Sequence, residues 1–249
     1  MKANFSTDSD QYAKYRPTYP AAFYAYLCQL LVKKQCAWDC GTGTGQVAVE
    51  IANIFEELYA TDISQSQLEH ATQKANVWYS MQSAEMTNFN DQKFDLIIIG
   101  QAIHWFNFEQ FYAEVRRTAK GHAIIAAIGY ARPQIEPKID AIITNFYSKT
   151  IGQYWDQERK YIDENYQTIP FPFQEIETPS FAYEVSWTFA QLIGYLSTWS
   201  AVKHYQQKTG LNPLEPLQEE LGTHWQPNQQ KLVTFPMLLR LGYIHSKPQ

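Results

Sequence analysis

The run Asp39-Cys40-Gly41-Thr42-Gly43-Thr44-Gly45 places a carboxylate ahead of glycines at alternate positions. Glycine lets a backbone turn tightly and approach a ligand where a Cβ would clash. Two phosphate-binding patterns can be compared with this run. The dinucleotide fingerprint G-x-G-x-x-G needs glycine at position 46, which is Gln46, and the P-loop's G-K-[ST] is absent. What remains is D-x-G-x-G-x-G, with a second acid, Asp62, 23 positions after Asp39. That is near the spacing at which a Rossmann-like fold sets a carboxylate on ribose hydroxyls. A carboxylate suits the task because it only accepts hydrogen bonds and can take both hydroxyl protons. The pattern points to a nucleoside without a diphosphate. The bland alternative is a plain turn, a surface acid at Asp62 and Asp39 capping a helix. It has to explain all of these groups falling in register.

Such a loop must be held between a strand and a helix. Short apolar runs at 36–40, 58–61, 77–82, 94–99 and 123–130 read as strands. Leu96 to Ile99 and Ile124 to Ile128 are continuously apolar, as expected of parallel strands covered on both faces. Between the strands, Val47, Ile51 and Ile54 recur at helical spacing, and Leu58 opens the next strand. Ser64 with Gln67 is a capping-box pattern, and Asn107 with Gln110 is a similar start. Gly121 is placed to stop that second helix. Alternating strands and helices predict a parallel sheet, with the ligand at the carboxyl ends of the strands.

After Tyr130 the pattern changes. Ile135, Ile139, Ile142 and Phe146 predict a long helix, and Thr188-x-x-Gln191 starts another through Leu192, Leu196 and Trp199. Segments 174–185, 231–235 and 241–245 read as extended pieces returning to the sheet. The expected organisation is a single domain over 1–249. It comprises an N-terminal lid and helix (1–35), a cofactor-binding core (36–130), a helical cap with one returning strand (131–230) and a final strand region (231–249).

Composition bounds the function. The chain has 249 residues, 45% hydrophobic and 18% charged, which excludes disorder, collagen and coiled coil. A net charge of -5 argues against nucleic acid, whose non-specific affinity comes mainly from clustered Lys and Arg. Apolar stretches fall short of the ~20 residues a membrane helix needs. The opening residues are polar and lack a signal-peptide core, so no membrane insertion and a cytoplasmic location are expected. Cys28, Cys36 and Cys40 are a sparse, odd set read as reduced thiols. Cys36 and Cys40, four apart on a strand, stand about 13 Å apart and cannot form a disulfide. The six histidines show no paired spacing with carboxylates or cysteines, so no metal is expected.

In order along the chain, Asp39 to Gly45, Asp62, Ala84-Glu85 and Phe94-Asp95-Leu96-Ile97 resemble the motifs of class I S-adenosylmethionine-dependent methyltransferases. Three further stretches, 12–20 (YAKYRPTYP), Gln101-Ala102-Ile103-His104-Trp105-Phe106 and Val233-Thr234-Phe235-Pro236, resemble the trans-aconitate methyltransferase-like (methyltransferase type 11) branch. The resemblance implies a Rossmann-like α/β fold. Its sheet would be mostly parallel and seven-stranded, with helices on both faces and a C-terminal helical cap. It also implies S-adenosyl-L-methionine as cofactor. Carried over, Gly41, Gly43 and Gly45 would contact the methionine part, Asp39 its ammonium and Asp62 the ribose. Ile63 would pack on adenine, Ala84 and Glu85 would lie near its amino edge, and Gln101 would sit beside the methionine end. Gln67, Tyr12 and Arg16 join the cofactor-binding set. Ala119-Lys120-Gly121-His122 departs from the family's usual Pro-Gly-Gly turn. Radical use of the same cofactor is not expected, because the C-x3-C-x2-C pattern lacks its third cysteine at Gly43.

Methyl transfer from a sulfonium is an in-line displacement, in which positioning alone is worth ~7–11 kcal/mol. Aromatic faces suit the cation, at ~0.5–2 kcal/mol each. A base matters only for an acceptor that arrives protonated. A carboxylate is already ionised at neutral pH and needs a cation to hold it. His104 is the candidate base or hydrogen-bond donor and Trp105 the pocket wall. Arg16, among Tyr12, Tyr15 and Tyr19, is the candidate lid cation on the cofactor or an acidic substrate. Tyr195 and Trp199 read as core. Arg240 could face a substrate carboxylate, but no role is assigned to it. The expected function is methylation of a small molecule, with a carboxylate oxygen as acceptor. The alternatives are C- or N-methylation of a quinone-like or amine compound, or a non-catalytic S-adenosylmethionine-binding protein.

Overall fold

The computed structural model describes residues 17–245. The apolar runs become β1 (Cys36–Cys40), β2 (Glu57–Asp62), β3 (Val77–Met81), β4 (Phe94–Gly100) and β5 (Ala119–Tyr130). All pair in parallel, in the order β3-β2-β1-β4-β5. The order reverses between β1 and β4, which opens a crevice beyond their carboxyl ends.

Side chains alternate across each strand, so the two faces of β4 feed two cores. Ile97 and Ile99 pack with Trp38, Phe111 and Val115, the last two from α4 (Phe108–Thr118). Leu96 and Ile98 pack on the opposite face. Their partners are Phe23 and Leu27 of α1 (Ala21–Leu30) and Val47 and Ile51 of α2 (Gln46–Ile51). Helices thus cover both faces, which is why β4 is apolar throughout. Ser64 caps α3 (Gln65–Glu69) by accepting from Gln67 N at 3.4 Å, and Asn107 caps α4 by accepting from Gln110 N at 3.2 Å.

Gly121 does not stop α4, contrary to the sequence expectation. That helix ends at Thr118 and the chain passes directly into β5 at Ala119. The cause is a buried carboxylate. Asp95 Oδ2 accepts from Gln35 N (3.1 Å) and Cys36 N (2.9 Å), and Lys120 Nζ lies 3.0 Å from both its oxygens. His122 Nε2 is 2.7 Å from Oδ1. Lys120 and His122 reach the same carboxylate only from one face of an extended strand, which fixes 120–122 in β5.

Beyond β5 the chain forms α5 (Pro137–Asn145), 3-10 turns at Gly152–Tyr154 and Gln157–Arg159, and α6 (Lys160–Asp163). These are followed by β6 (Gln174–Glu175), β7 (Ala182–Thr188), α7 (Phe189–Ser197), α8 (Ser200–Thr209), α9 (Leu214–Gly222) and β8 (Gln230–Tyr243). The long helix expected from Ile135 to Phe146 starts instead at Pro137 and passes into a π-helical turn, Phe146–Thr150. A full capping box starts α7 at Thr188 and Gln191. The extended pieces at 231–235 and 241–245 are one strand. The second half of β8 pairs antiparallel with β5 and the first half with β7. Pro236, which has no N–H to give a ladder, sits where the partner changes. The stretch 174–185 is in turn divided between β6 and β7. Among the described residues the sheet therefore has eight strands, seven in the path β3-β2-β1-β4-β5-β8-β6 and β7 paired to β8 outside it.

A third core joins the cap helices to the sheet through Tyr130, Ile139, Leu192, Trp199 and Phe235. Among the described residues no helix is long and apolar enough to cross a membrane.

Burial alone would raise the pKa of Asp95, but the hydrogen bonds from Cys36 N, Lys120 and His122 hold it below the usual carboxylate range. Its stabilisation is therefore present above the unfolded pKa of about 4 and lost as pH falls through the lower folded value. Asp95→Ala, which strands buried donors, is expected to cost about 3 kcal/mol in urea denaturation at pH 7.

Candidate active site

The ends of β1, β2, β4 and β5 and the loops that follow them enclose a cleft of about 420 Å³. Asp39, fully buried one residue before the end of β1, contributes to its wall. Thr42 Oγ1 donates to Asp39 Oδ2 at 2.6 Å, and the Ala48 backbone also donates to the carboxylate. Oδ1 has no partner. Burial above all, and then the charge of Asp62, push the Asp39 pKa up to about 7 against the pull of the Thr42 and Ala48 hydrogen bonds. A buried oxygen without a donor costs roughly 1–3 kcal/mol, and such an atom calls for a ligand that supplies one.

The glycine loop is shaped around this carboxylate. Gly41, Gly43 and Gly45 all have left-handed φ, at 71°, 57° and 81°. A Cβ on Gly41 would fall 2.7 Å from Ala102 Cβ, so glycine is needed for the loop to lie against the exit of β4. Gly41 N and Thr42 N donate to Thr61 O at 2.8 and 2.9 Å. Asp62 secures the other side of the loop. Its Oδ2 accepts from Gly43 N and its Oδ1 from Ser64 N, both at 2.9 Å. Each oxygen keeps a further lone pair for a ligand.

Of the residues singled out from sequence, the cleft wall brings together Asp39, Gly41, Gly43, Asp62 and Ile63, with Gln67, Ala84, Gln101 and Trp105. Gly45, Glu85 and His104 are not on that wall. Gly45 makes room for Tyr79, whose hydroxyl would lie 2.4 Å from an added Cβ. Glu85 is engaged locally, accepting from Asn107 N at 3.0 Å and from the Ser83 hydroxyl. His104 is 6% exposed behind Trp105, their rings 5.0 Å apart, and its Nδ1 has no partner. Burial first, and then the charge of Arg159, push its pKa down to about 3, so the ring is neutral at pH 7. Tyr12, Tyr15 and Arg16 lie outside the described residues, although Pro17 and Tyr19 of the same segment line the cleft.

Arg240 does not face a substrate. Its Nη1 donates to Tyr166 O (3.0 Å) and Ile169 O (2.9 Å), and its guanidinium pairs with Glu175. It therefore anchors the turn that carries Tyr166. Tyr166 and Gln101 adopt left-handed φ, at 63° and 55°, a costly choice for side-chain-bearing residues. They meet each other: Tyr166 Oη lies 3.5 Å from Gln101 Oε1, and Gln101 Nε2 donates to Tyr130 O at 3.3 Å. A Cβ on Gly129 would fall 2.7 Å from the Tyr166 hydroxyl. Nothing in the sequence marked Tyr166, which reaches this edge from the cap. Tyr130 and Gln82, also on the wall, sit at strand ends, where the crevice rule could have found them. Among the described residues no group of three or more His, Cys, Asp or Glu could hold a metal ion.

Residues 38–127 match the methyltransferase domain family. A Dictyostelium discoideum protein that carries a methyltransferase name is 32% identical over 223 residues, 87% of this chain and 84% of that one. A solved structure from Anaeromyxobacter dehalogenans, named as a type II methyltransferase, is 35% identical, covers 92% of this chain and 98% of its own, and has a TM-score of 0.86. A structure from Anabaena variabilis, named as a methyltransferase from an antibiotic biosynthesis pathway, shares the fold. It has a TM-score of 0.53 at 17% identity, over 87% of this chain and 96% of that one.

A raised Asp39 pKa has two consequences. A ligand whose ammonium were held at Asp39 would compete with the proton there, so its affinity is expected to fall by up to about tenfold per unit as pH drops below 7. Calorimetry in buffers of differing ionisation enthalpy should detect proton release on binding near pH 7. Because the folded pKa exceeds the unfolded one, Asp39 costs the free protein stability as pH rises from about 4 through 7. Asp39→Asn is expected to remove both effects, binding weakly at every pH while melting higher above pH 7.

Proposed function

The chain belongs to the S-adenosylmethionine-dependent methyltransferases, and from that membership we propose that it methylates an oxygen of a small carboxylate. The carrying observation is the pairing of a buried, half-satisfied Asp39 with a backbone-fixed Asp62 in one aromatic-edged cleft. Two acids on the wall suit a ligand that brings an ammonium and ribose hydroxyls, and they repel a pyrophosphate. The residues present fit S-adenosyl-L-methionine on this ground. Asp39 would hold the ammonium, Asp62 the ribose, and Ile63 and Ala84 the adenine, with Gly41, Gly43, Gln67 and Gln101 completing the surround. When bound, this donor supplies an electrophilic methyl on a cationic sulfur.

The rest of the reaction falls to alignment and exclusion of water. Trp105, Phe106, Tyr130 and Tyr19 edge the cleft with aromatic faces that favour a cation. Positioning of acceptor and methyl is the largest contribution available to such a wall. His104 favours an acceptor that arrives ionised. A ring whose pKa is near 3 holds almost no proton at pH 7 and is a weak base for an alcohol or amine. It can still give or take one hydrogen bond. A carboxylate needs no deprotonation, and the resemblance of 12–20 and 101–106 to the trans-aconitate methyltransferase-like branch supports an acid. Arg16 and Tyr12 are proposed to approach the acid or the cofactor from the lid. Membership and intact motifs favour an enzyme over a non-catalytic binder.

S-adenosylhomocysteine at a hundredfold excess over its Kd is expected to stabilise the protein by ~2.7 kcal/mol in thermal melts. Asp62→Ala should weaken that ligand by about 2–3 kcal/mol, because it removes a charged acceptor and loosens Gly43. A screen with labelled methyl donor, offering acids beside their amides and matched amines, should place label on an acid. Label confined to amines or carbon acids would replace the acceptor.

A further inference from the structure

The cap holds polar atoms that the fold leaves unspent, gathered around Tyr147 and Trp155. Arg159 lies over the Trp155 ring at 4.5 Å and the Tyr147 ring at 5.4 Å, and its Nε donates to Tyr147 Oη at 2.9 Å. Among the described residues, its Nη1 and Nη2 have no hydrogen-bond partner. Asp163 Oδ1 stands 3.7 Å from Nε, but both Asp163 oxygens already accept from Tyr147 Oη at 2.6 and 2.7 Å. The Arg159 side chain is only 18% exposed, so its guanidinium is held close against these rings.

Two further groups join it. Trp199 is 2% exposed and packs 5.7 Å from Tyr147 and 5.5 Å from Trp155, and among the described residues its Nε1–H has no acceptor. His104 Nδ1 is equally without a partner, and its ring feels the Arg159 charge. Glu158 Oε2 is also unpartnered, but Glu158 lines a different hollow with Tyr154 and His204.

A cap that needed only packing would be cheaper with a phenyl ring at 199, since a buried donor without an acceptor costs free energy. Cationic and N–H donors held by aromatic rings form a receptor for an anion rich in acceptor atoms. The cluster also adjoins the cleft. The Arg159 turn packs on the turn Ile103–Trp105, whose Trp105 lines the wall. On its other side the His104 ring stands 6.3 Å from Tyr166, which meets Gln101.

We propose that Arg159, with the Trp199 N–H and His104 beside it, is the specificity-determining group that grips the acceptor's anionic oxygens while the accepting oxygen faces the cleft past Trp105. This rests on the carboxylate-acceptor reading and adds the residues that enforce it.

The test compares wild type with Arg159→Gln, Arg159→Lys and Trp199→Phe. For whichever acid gains label, Arg159→Gln should raise KM on the order of a hundredfold. Arg159→Lys should recover part of the loss, and Trp199→Phe should raise KM several-fold. Affinity for S-adenosylhomocysteine should stay unchanged in all three, a split that a merely structural role would not give. A direct probe uses protein loaded with S-adenosylhomocysteine. Benzoate should raise its Tm and benzamide should not, and Arg159→Gln should lose the benzoate response. Equal benzoate shifts in wild type and Arg159→Gln, or none in wild type, would overturn the proposal. An acid that is methylated with the same KM in wild type and Arg159→Gln overturns the anion grip and leaves the acceptor class standing. Label that reaches only neutral acceptors ends both.

Discussion

A carboxylate buried with one oxygen unsatisfied is the constraint around which the sheet edge is arranged. Asp39 lies between β2 and β4 and is fully buried, which disfavours its charge. The chain supplies a hydroxyl from Thr42 and a backbone donor from Ala48, and supplies nothing to Oδ1. The glycine loop must therefore fold back over the strand end tightly enough to bring Thr42 within 2.6 Å, which explains the left-handed backbone at Gly41 and Gly43. Asp62 then fixes the far side of the loop through Gly43 N. Two acids separated by one short loop hold the cleft anionic, and that charge selects the ligand class before any shape complementarity does.

The chemistry most visible in the sequence is the part encoded by neighbours in the chain. The Asp39 to Gly45 run, its partner Asp62 and the helix starts at Ser64, Asn107 and Thr188 depend on contacts within a few residues or across one βαβ unit. Spacing alone reveals such contacts. Features set by distant partners did not show. Gly121 looked like a helix stop because Lys120 and His122 gave no sign of sharing a carboxylate with the start of β4. Gly45 looked like a ligand contact, yet the atom it avoids is the Tyr79 hydroxyl, which donates to Thr72 O at 2.7 Å. The unity of β8 was hidden by Pro236, which reads as a break but falls where the strand exchanges one partner for another.

The cap illustrates the same limit more strongly. Tyr166 is fully buried in a strained conformation, which the Arg240–Glu175 pair helps hold through the carbonyls of Tyr166 and Ile169. Each of those residues is unremarkable in sequence. Arg240 in particular offered a free cation as a substrate ligand, and the fold had already committed it to a loop. Arg159 was unmarked because its setting, between the Trp155 ring and the Tyr147 ring, exists only once the cap has folded.

The two halves of the site are opposite in charge, and that polarity bears on the reaction proposed for it. On the proposed reading the strand-end wall, which carries Asp39 and Asp62, would face a cationic donor, whereas the cap would present the Arg159 guanidinium towards an anionic acceptor. Transfer from a sulfonium to a carboxylate destroys both charges, so the transition state carries less separated charge than the reactants. Water stabilises the separated reactants and slows such a step. An aromatic cleft that excludes water, with each reactant's charge met by a fixed counter-charge, removes solvent reorganisation from the barrier. The fixed charges must not hold the reactants too firmly, because binding shared equally by ground and transition states does not accelerate the step. An Asp39 that must give up a proton to bind the donor and an Arg159 whose Nε is already engaged by Tyr147 are both weakened partners in this sense. On the proposed reading they align the reactants without trapping them.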